Sequence, residues 1–356
     1  MSKLFSSIAL RSLTLENRIV VSPMCQYSSK DGNANDWHVV NLGHFALCGP
    51  GLAFFEATHV SPEGRITDQD LGLYSDDNEA SMARVIAFIR TWTKTKIGVQ
   101  LAHAGRKGST LPPWQGGGAA SGEHAYQTVS ASAIPYGDWP APVALDEAGL
   151  QKVRNDFVSS AKRAERLGLD AIELHFAHGY LAHQFLSPLS NRRSDAYGGS
   201  LETRLRFPLE LFDAVRAVWP QEKPLGVRIS ASDWVEGGWD VDQSIAFVKE
   251  LQKRSCDFVD VSSGGLSPDQ KIAIGPGYQV PFSEKIKAAT GMTTFAVGMI
   301  TQPAQAEEIV SNGQADCVSL ARAFIRNPNW VWDAADHLGG TSFVPPEYER
   351  GRKTRL

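Results

Sequence analysis

Cysteine is scarce in this chain. Four residues in 356 (Cys25, Cys48, Cys256 and Cys317) lie far apart, with no CxxC pair and no zinc spacing. A disulfide framework and a thiolate metal cluster are therefore not expected, and free thiols in a reducing cytoplasm fit best. Long apolar runs are also missing: no stretch approaches 18 consecutive apolar residues, so no membrane-spanning helix is expected. The opening MSKLFSSIALRSLTLENR has neither a long apolar core nor a small-residue cleavage site and does not read as a signal peptide. Basic excess is absent, with 35 basic against 39 acidic residues and a formal net charge of −4. No basic stripe appears before the last few residues, which argues against nucleic acid as a partner. GxGxxG is absent too, and with it the fingerprint of a doubly wound dinucleotide fold.

What is present is an ordinary globular composition, 42% hydrophobic and 21% charged. Eight short apolar or β-branched runs alternate with longer amphipathic stretches: 18–21, 52–57, 97–102, 171–175, 225–229, 258–261, 294–297 and 317–320. Near-continuous apolar character is the mark of parallel strands covered on both faces. After Leu150, the residues Val153, Phe157, Ala161, Ala164 and Leu167 share one helical face. A second helical pattern starts at Leu201, where Pro208 predicts a kink or a late start. Asp240 with Gln243 resembles a capping box, and Thr301 with Pro303 marks another helix start. Eight β-then-α units predict a TIM (β/α)8 barrel occupying 1–356 as a single domain. The Gly-, Pro- and Ser-rich stretch 103–144 is a long insertion after strand three, expected to be a functional lid or a small hairpin over the catalytic face.

Barrel enzymes carry their chemistry at the C-terminal ends of the strands. Run one leads into Ser22-Pro23-Met24-Cys25, run two into Ala57-Thr58-His59, run three into Gln100 and His103, and run four into His175 and His178. Run five contains Arg228, run six leads to Ser262-Ser263-Gly264-Gly265, run seven to Gly298-Met299 and run eight to Ala321-Arg322. A glycine after strand seven and an arginine after strand eight occupy the usual phosphate position of such barrels. A tight turn and a surface ion pair are the plainer alternatives. Arg228 is a charge inside a strand, costly to bury alone. It either pairs with a strand carboxylate such as Glu56 or lies beside a cofactor that becomes anionic on reduction. His175 and His178, with His183 and Glu173 nearby, can converge on a metal. The characteristic third and fourth ligands are missing, however, and no metal is expected. A clamp for an anion or a carbonyl oxygen suits the pair better.

The segments NRIVVSPMCQY (17–27), EATHVSPEGR (56–65), QLAHAGRK (100–107) and HFAHGYLAHQFLSPLSNRRSDAYGGSLETRLRF (175–207) resemble the Old Yellow Enzyme family. The likeness is to its bacterial subgroup with a cysteine near the flavin. VRIS (227–230), PGYQVPFSEKIK (276–287), VGMIT (297–301) and SLARAFIRNP (319–328) continue the match in the family's order. The resemblance implies an FMN-dependent ene-reductase, of the NADPH dehydrogenase type. It would use NADPH or NADH to reduce α,β-unsaturated carbonyl or nitro compounds (enones, enals, nitroalkenes). It further implies isoalloxazine contacts from Ser22, Pro23, Met24, Cys25 and Ala57, a pyrimidine hydrogen bond from Gln100, and Arg228 near N1. Gly298, Met299, Ala321 and Arg322 would hold the ribityl phosphate.

In the same resemblance His175 and His178 bind the substrate carbonyl oxygen, Tyr27 assists, and Tyr180 protonates the α-carbon. NAD(P)H and substrate would use one site in turn, in a ping-pong cycle. Arg350, in the Arg-rich tail 340–356, matches a subgroup arginine that reaches the neighbouring protomer's site and implies a homodimer or a dimer of dimers. A solvated tail, an inert core Cys25 and a packing Tyr180 are the plainer readings. Two departures stand out. Ala321 occupies a place where the family usually has glycine, so its methyl is expected to crowd the phosphate, and Thr203 stands where asparagine is common. The rival readings are a metal-dependent barrel hydrolase built on His175, His178 and His59, and a non-catalytic flavin-binding protein.

Overall fold

A strand buried on both faces must be apolar at nearly every position, and eight such segments close on one another in this chain. The computed structural model describes residues 2–353. Its barrel strands are β1 (Ile19–Val21), β2 (Leu52–His59), β3 (Lys96–Ala102), β4 (Ala171–Phe176), β5 (Leu225–Ser230), β6 (Phe258–Ser262), β7 (Thr294–Ala296) and β8 (Cys317–Leu320). Each pairs in parallel with its sequence neighbours, and β8 returns to β1 through Val318 and Ile19 to close the barrel. The apolar runs of the sequence thus become the eight strands of a TIM barrel, with ends shifted by two residues at most. The largest shift is on β2, which runs on through Thr58 and His59.

Helices lie between the strands: α1 (Asp36–Leu47), α2 (Asp76–Trp92), α3 (Glu147–Arg166), α4 (Leu201–Arg216), α5 (Val241–Lys253), α6 (Val280–Thr290), α7 (Pro303–Ser311) and α8 (Trp330–Leu338). Side-chain caps set the starts of α1 to α5, each worth about 1 kcal/mol. Asp146 accepts the Gly149 N–H at 2.8 Å, and Asp240 accepts the Gln243 N–H at 2.9 Å. The Gln243 side chain does not complete a reciprocal box; it donates instead to Gly238 O. The late start expected of α4 does not occur. That helix begins at Leu201 and runs through Pro208, whose missing N–H is outweighed by the burial of Leu205, Phe207, Leu209 and Phe212 around it.

An element that the sequence did not announce seals the N-terminal end of the barrel. Residues Ile8–Leu10 and Leu13–Leu15 form an antiparallel hairpin. Its Leu10 and Leu15 pack with Val20, Leu52, Phe54, Phe258, Phe295 and Cys317. Phe258 and Phe295 stack there at 4.6 Å and 10°. Gly226 faces the Phe258 ring closely enough that an added Cβ would lie 2.3 Å from it, so the small residue makes room for the large one.

The insertion after β3 is not a hairpin. It holds three short 3-10 turns and a two-residue pair, Val129–Ser130 with Val143–Ala144, that runs parallel. Arg106 fastens it to the barrel by donating to the carbonyls of Ile134, Pro135 and Leu266 at 2.9–3.2 Å. At the other end the tail closes in a short helix, Glu349–Lys353, and residues 354–356 of that tail lie outside the described residues. No helix among the described residues is long and apolar enough to cross a membrane.

Candidate active site

The C-terminal ends of β6, β7 and β8 surround a cavity of about 830 Å³ lined by Ser262, Tyr278, Gln279, Gly298, Met299 and Arg322, among others. The turn after β7 is bent to present backbone to this space. Gly298 has φ +118, and a Cβ there would come within 2.8 Å of Gln279 Nε2; Met299 follows at φ +50. Ala321 and Arg322 bound the same cavity from β8, so all four sequence-expected phosphate residues meet here. Tyr278 and Gln279 were quoted in a family segment but given no role, because nothing in a loop sequence says which way it folds back.

Inside the barrel, one layer below the rim, polar side chains replace apolar ones. Gln100 Nε2 donates to Glu173 Oε1 at 2.7 Å, and Arg228 Nε lies 3.4 Å from Asp260 Oδ2. The strand carboxylate facing Arg228 is thus Asp260 on the adjacent β6, not Glu56. Glu56 accepts the Gln26 N–H at 2.6 Å and meets His38 at 3.2 Å. Burial, reinforced by Asp260 and opposed by Arg228, pushes the Glu173 carboxyl up to about 8. Several buried donors and acceptors make no hydrogen bond within the chain, among them Ser22 Oγ and Arg228 Nε, which only approaches Asp260 as an ion pair. Buried polar atoms without partners each cost about 1–3 kcal/mol and ask for a ligand.

At the rim, β4 ends in His175 and a turn that is held by several hydrogen bonds. His178 has φ +58, uncommon for a residue other than glycine, and Gly179 follows at φ +76. His178 N–H donates to Ser230 Oγ at 2.9 Å and Gly179 N–H to His183 Nδ1 at 2.9 Å, while Lys107 Nζ donates to His178 O at 2.9 Å. His183 is in turn braced by Asp233 at 2.9 Å. This support was not legible from the sequence, which offered His183 only as a metal ligand. The turn brings His175 Nε2 and His178 Nδ1 to 3.3 Å, with the Tyr180 ring edge-on to His175 at 4.9 Å. Burial pushes both imidazoles well below their ordinary range and the Tyr180 phenol well above its own, so the rings are neutral and the phenol keeps its proton.

Cys25 is partly exposed at the end of β1, in a gathering with Glu56 and Asp70 whose ligand atoms lie within 4.8 Å of one another. Burial, then Asp70 and Glu56, raise its thiol, so Cys25 remains a thiol rather than a thiolate. Tyr27 stands beside it and meets Trp114 of the insertion edge-on at 5.7 Å. His59, offered as a third metal ligand, instead turns Nδ1 to Leu71 O at 3.2 Å. Arg350 is exposed in the C-terminal helix of this chain and is not part of the rim described above.

Orphaned donors ranged along a polar barrel wall, ending in a backbone-lined cavity between strands seven and eight, are what a flavin mononucleotide requires. The class so defined is the FMN-dependent barrel oxidoreductase. The chain belongs to the NADH:flavin oxidoreductase / NADH oxidase family, that of Old Yellow Enzyme, whose profile matches residues 3–339. It is similar to the NADPH dehydrogenase of Geobacillus thermodenitrificans (strain NG80-2), at 46% identity over 351 residues and 98% of each chain. It is 43% identical to the NADPH dehydrogenase of Bacillus subtilis (strain 168), over 98% of this chain and 99% of that one. Among solved structures it resembles morphinone reductase, with TM-score 0.79 and 27% identity over 97% of this chain and 92% of that one. The protein is accordingly an NAD(P)H-dependent flavin oxidoreductase with FMN as its cofactor, and the hydrolase reading falls away.

Proposed function

We propose that this oxidoreductase is an ene-reductase, acting on carbon–carbon double bonds conjugated to a carbonyl or nitro group. The observation that carries the reading is the pair of imidazole nitrogens 3.3 Å apart at the rim, beside a phenol that burial keeps protonated. FMN, when bound, supplies the hydride-transferring ring. Gly298, Met299, Ala321 and Arg322 hold its phosphate, Gln100 and Arg228 its pyrimidine edge, and Ser22 through Cys25 with Ala57 its ring system. His175 and His178 orient the substrate by its carbonyl oxygen and stabilise negative charge as it develops there. Tyr27 assists them from the Cys25 side. Tyr180 gives its phenolic proton to the α-carbon as a general acid.

One rim serves reductant and substrate in turn, which accords with the lack of a separate dinucleotide motif. Morphinone reductase, a structural relative, has been solved in complex with tetrahydroNAD. The same reading takes 1–356 as one FMN-binding domain. Its tail, exposed at Arg350, reaches the neighbouring site in a homodimer or dimer of dimers. The test is NADPH consumption with 2-cyclohexenone and analysis of the product. Saturated ketone is expected, and turnover should fall by at least 10³-fold in the His175→Ala, His178→Ala double variant while the flavin spectrum persists. Full turnover in that variant would reject the reading.

A further inference from the structure

Along one chain of contacts two groups of fixed role, the Trp234 indole and the Gln279 carbonyl oxygen, constrain where the protons lie. The Trp234 indole only donates, and it gives Nε1–H to Ser263 Oγ at 2.9 Å. Ser263 therefore gives its own proton to Gln279 Oε1, 2.6 Å away. The same Gln279 oxygen accepts the Ser262 proton at 3.2 Å. With its hydrogen placed there, Ser262 Oγ meets His178 Nε2 at 2.7 Å as an acceptor. In that arrangement His178 carries hydrogen on Nε2 and leaves Nδ1 bare, and the contacts of His175 favour the same tautomer. From the other side, the Ala177 N–H points at His175 Nδ1 at 3.3 Å, which puts the His175 hydrogen on Nε2. That N–H faces the bare His178 Nδ1 at 3.3 Å. Both rings are neutral in this arrangement, as their burial demands.

A carbonyl oxygen arriving between the rings would meet one N–H and one lone pair. A clamp with two donors needs the His178 hydrogen on Nδ1, and one neighbouring group can allow that. A hydroxyl both donates and accepts. When Ser262 turns its hydrogen from Gln279 to His178 Nε2, Gln279 Oε1 remains served by Ser263. We propose that Ser262, backed by Gln279, is a positioning residue that sets which nitrogen of His178 carries the hydrogen. In the ligand-free protein it is Nε2; with a carbonyl oxygen bound it is Nδ1. One proton leaves Nε2 and one arrives at Nδ1 by exchange with water, so charge and proton count are unchanged. The inference rests on the reading of His175 and His178 as the carbonyl site.

The experiment uses FMN-loaded enzyme labelled with 15N-histidine, titrated with cyclohexanone, a saturated ketone that has no conjugated double bond to reduce. The His178→Asn spectrum identifies the signals of that ring, and flavin absorbance is recorded for every variant. In the wild type the protonated nitrogen of His178 is expected to change from Nε2 to Nδ1 as ketone binds. Ser262→Ala should lose the defined tautomer and raise the ketone Kd about tenfold, and Ser262→Thr, which keeps the hydroxyl, should restore both. Gln279→Glu offers only acceptor oxygens, so it should hold the Ser262 hydrogen and keep His178 protonated at Nε2 with ketone present. It remains informative if Ser262→Ala loses flavin. Ketone-induced movement of the His178 signals that is identical in Ser262→Ala, Gln279→Glu and wild type overturns the positioning role while leaving the clamp intact. Bound ketone that moves neither histidine in the wild type overturns the clamp itself.

Discussion

At the floor of the barrel Phe258 and Phe295 stack among Leu10, Leu15, Val20 and Cys317, and the hairpin of residues 8–15 closes that end with apolar side chains. In the upper half the buried surface is polar, and Ser22 Oγ, His59 Nε2, Asp70 Oδ1, Glu173 Oε2, Arg228 Nε and Asp260 Oδ1 have no hydrogen-bond partner. The two ends belong to one sheet and share the same strands. The floor gains mainly from apolar packing, although Thr294 Oγ1 lacks a hydrogen-bond partner there, whereas the upper half gathers buried polar atoms that a ligand could serve. Stability and function are therefore separated along the strand direction, and substitutions at the two ends should fail in different ways.

The largest effect belongs to the floor. Phe295→Ala removes a fully buried ring from the stack and should destabilise the fold by about 3–5 kcal/mol in denaturant unfolding. The FMN affinity of the molecules that remain folded should not change. A variant that unfolds as the wild type does but binds FMN poorly would break the comparison.

Much of this division was legible beforehand, because strands covered on both faces write themselves as apolar runs and their ends can be read in order. The floor hairpin was not, since two three-residue strands offer too little alternation to separate from loop. For Arg228 a strand carboxylate such as Glu56 was one of two expectations, and the carboxylate that faces it is Asp260. Composition supplies several strand carboxylates, and only the order of strands in the closed barrel selects Asp260 on the adjacent β6. Ser262 and Gln279 are 17 residues apart with a loop between them, and their meeting at His178 depends on how that loop returns. Residues proposed to touch ligand were named through family segments; residues that hold them in place were not.

The second effect is on pH dependence, and it lies in the polar upper half. Burial holds His59 down to about 3 and His103 down to about 4, against an ordinary value of 6.5. These rings are neutral in the folded chain and charged in the unfolded chain below pH 6.5, so unfolding takes up protons there. Stability should fall as pH drops below 6.5, by about 1.4 kcal/mol per pH unit for each ring. Glu173 acts at the other side. Its carboxyl, pushed up to about 8, keeps its proton when folded and loses it above about 4.5 when unfolded, so stability also falls as pH rises from 4.5 to 8. Glu173→Gln should gain stability at pH 8 and little at pH 4.5, while Phe295→Ala should lose the same amount at both. Equal gains for Glu173→Gln at the two pH values would show that its ionisation is not the cause.

Third comes Tyr180→Phe, which removes a proton source without removing the ring that packs on His175. Enone reduction should slow by about 10²-fold, the lower end for a general acid. Flavin reduction by NADPH and the unfolding midpoint should stay as they are, because the phenolic hydrogen takes no part in either. Stopped-flow measurement of the two half-reactions separates them, and equal slowing of both would assign Tyr180 to the architecture instead.

The smallest effect tests a sequence expectation directly. Ala321 was expected to crowd the phosphate with its methyl, because glycine is usual there. Its backbone argues otherwise: φ is −113°, a value that does not call for glycine, and the side chain is partly exposed at the edge of the cavity. Gly298, across the same cavity, is the contrasting case, since φ +118 and a 2.8 Å approach to Gln279 forbid a side chain. Ala321→Gly should therefore relieve nothing. It should lower stability by about 0.5–1 kcal/mol through the entropy of the unfolded chain, and the FMN Kd should change by less than tenfold. Tightening beyond tenfold in a fluorescence titration would mean that the methyl does press on the phosphate, and that the rim, like the floor, is limited by packing.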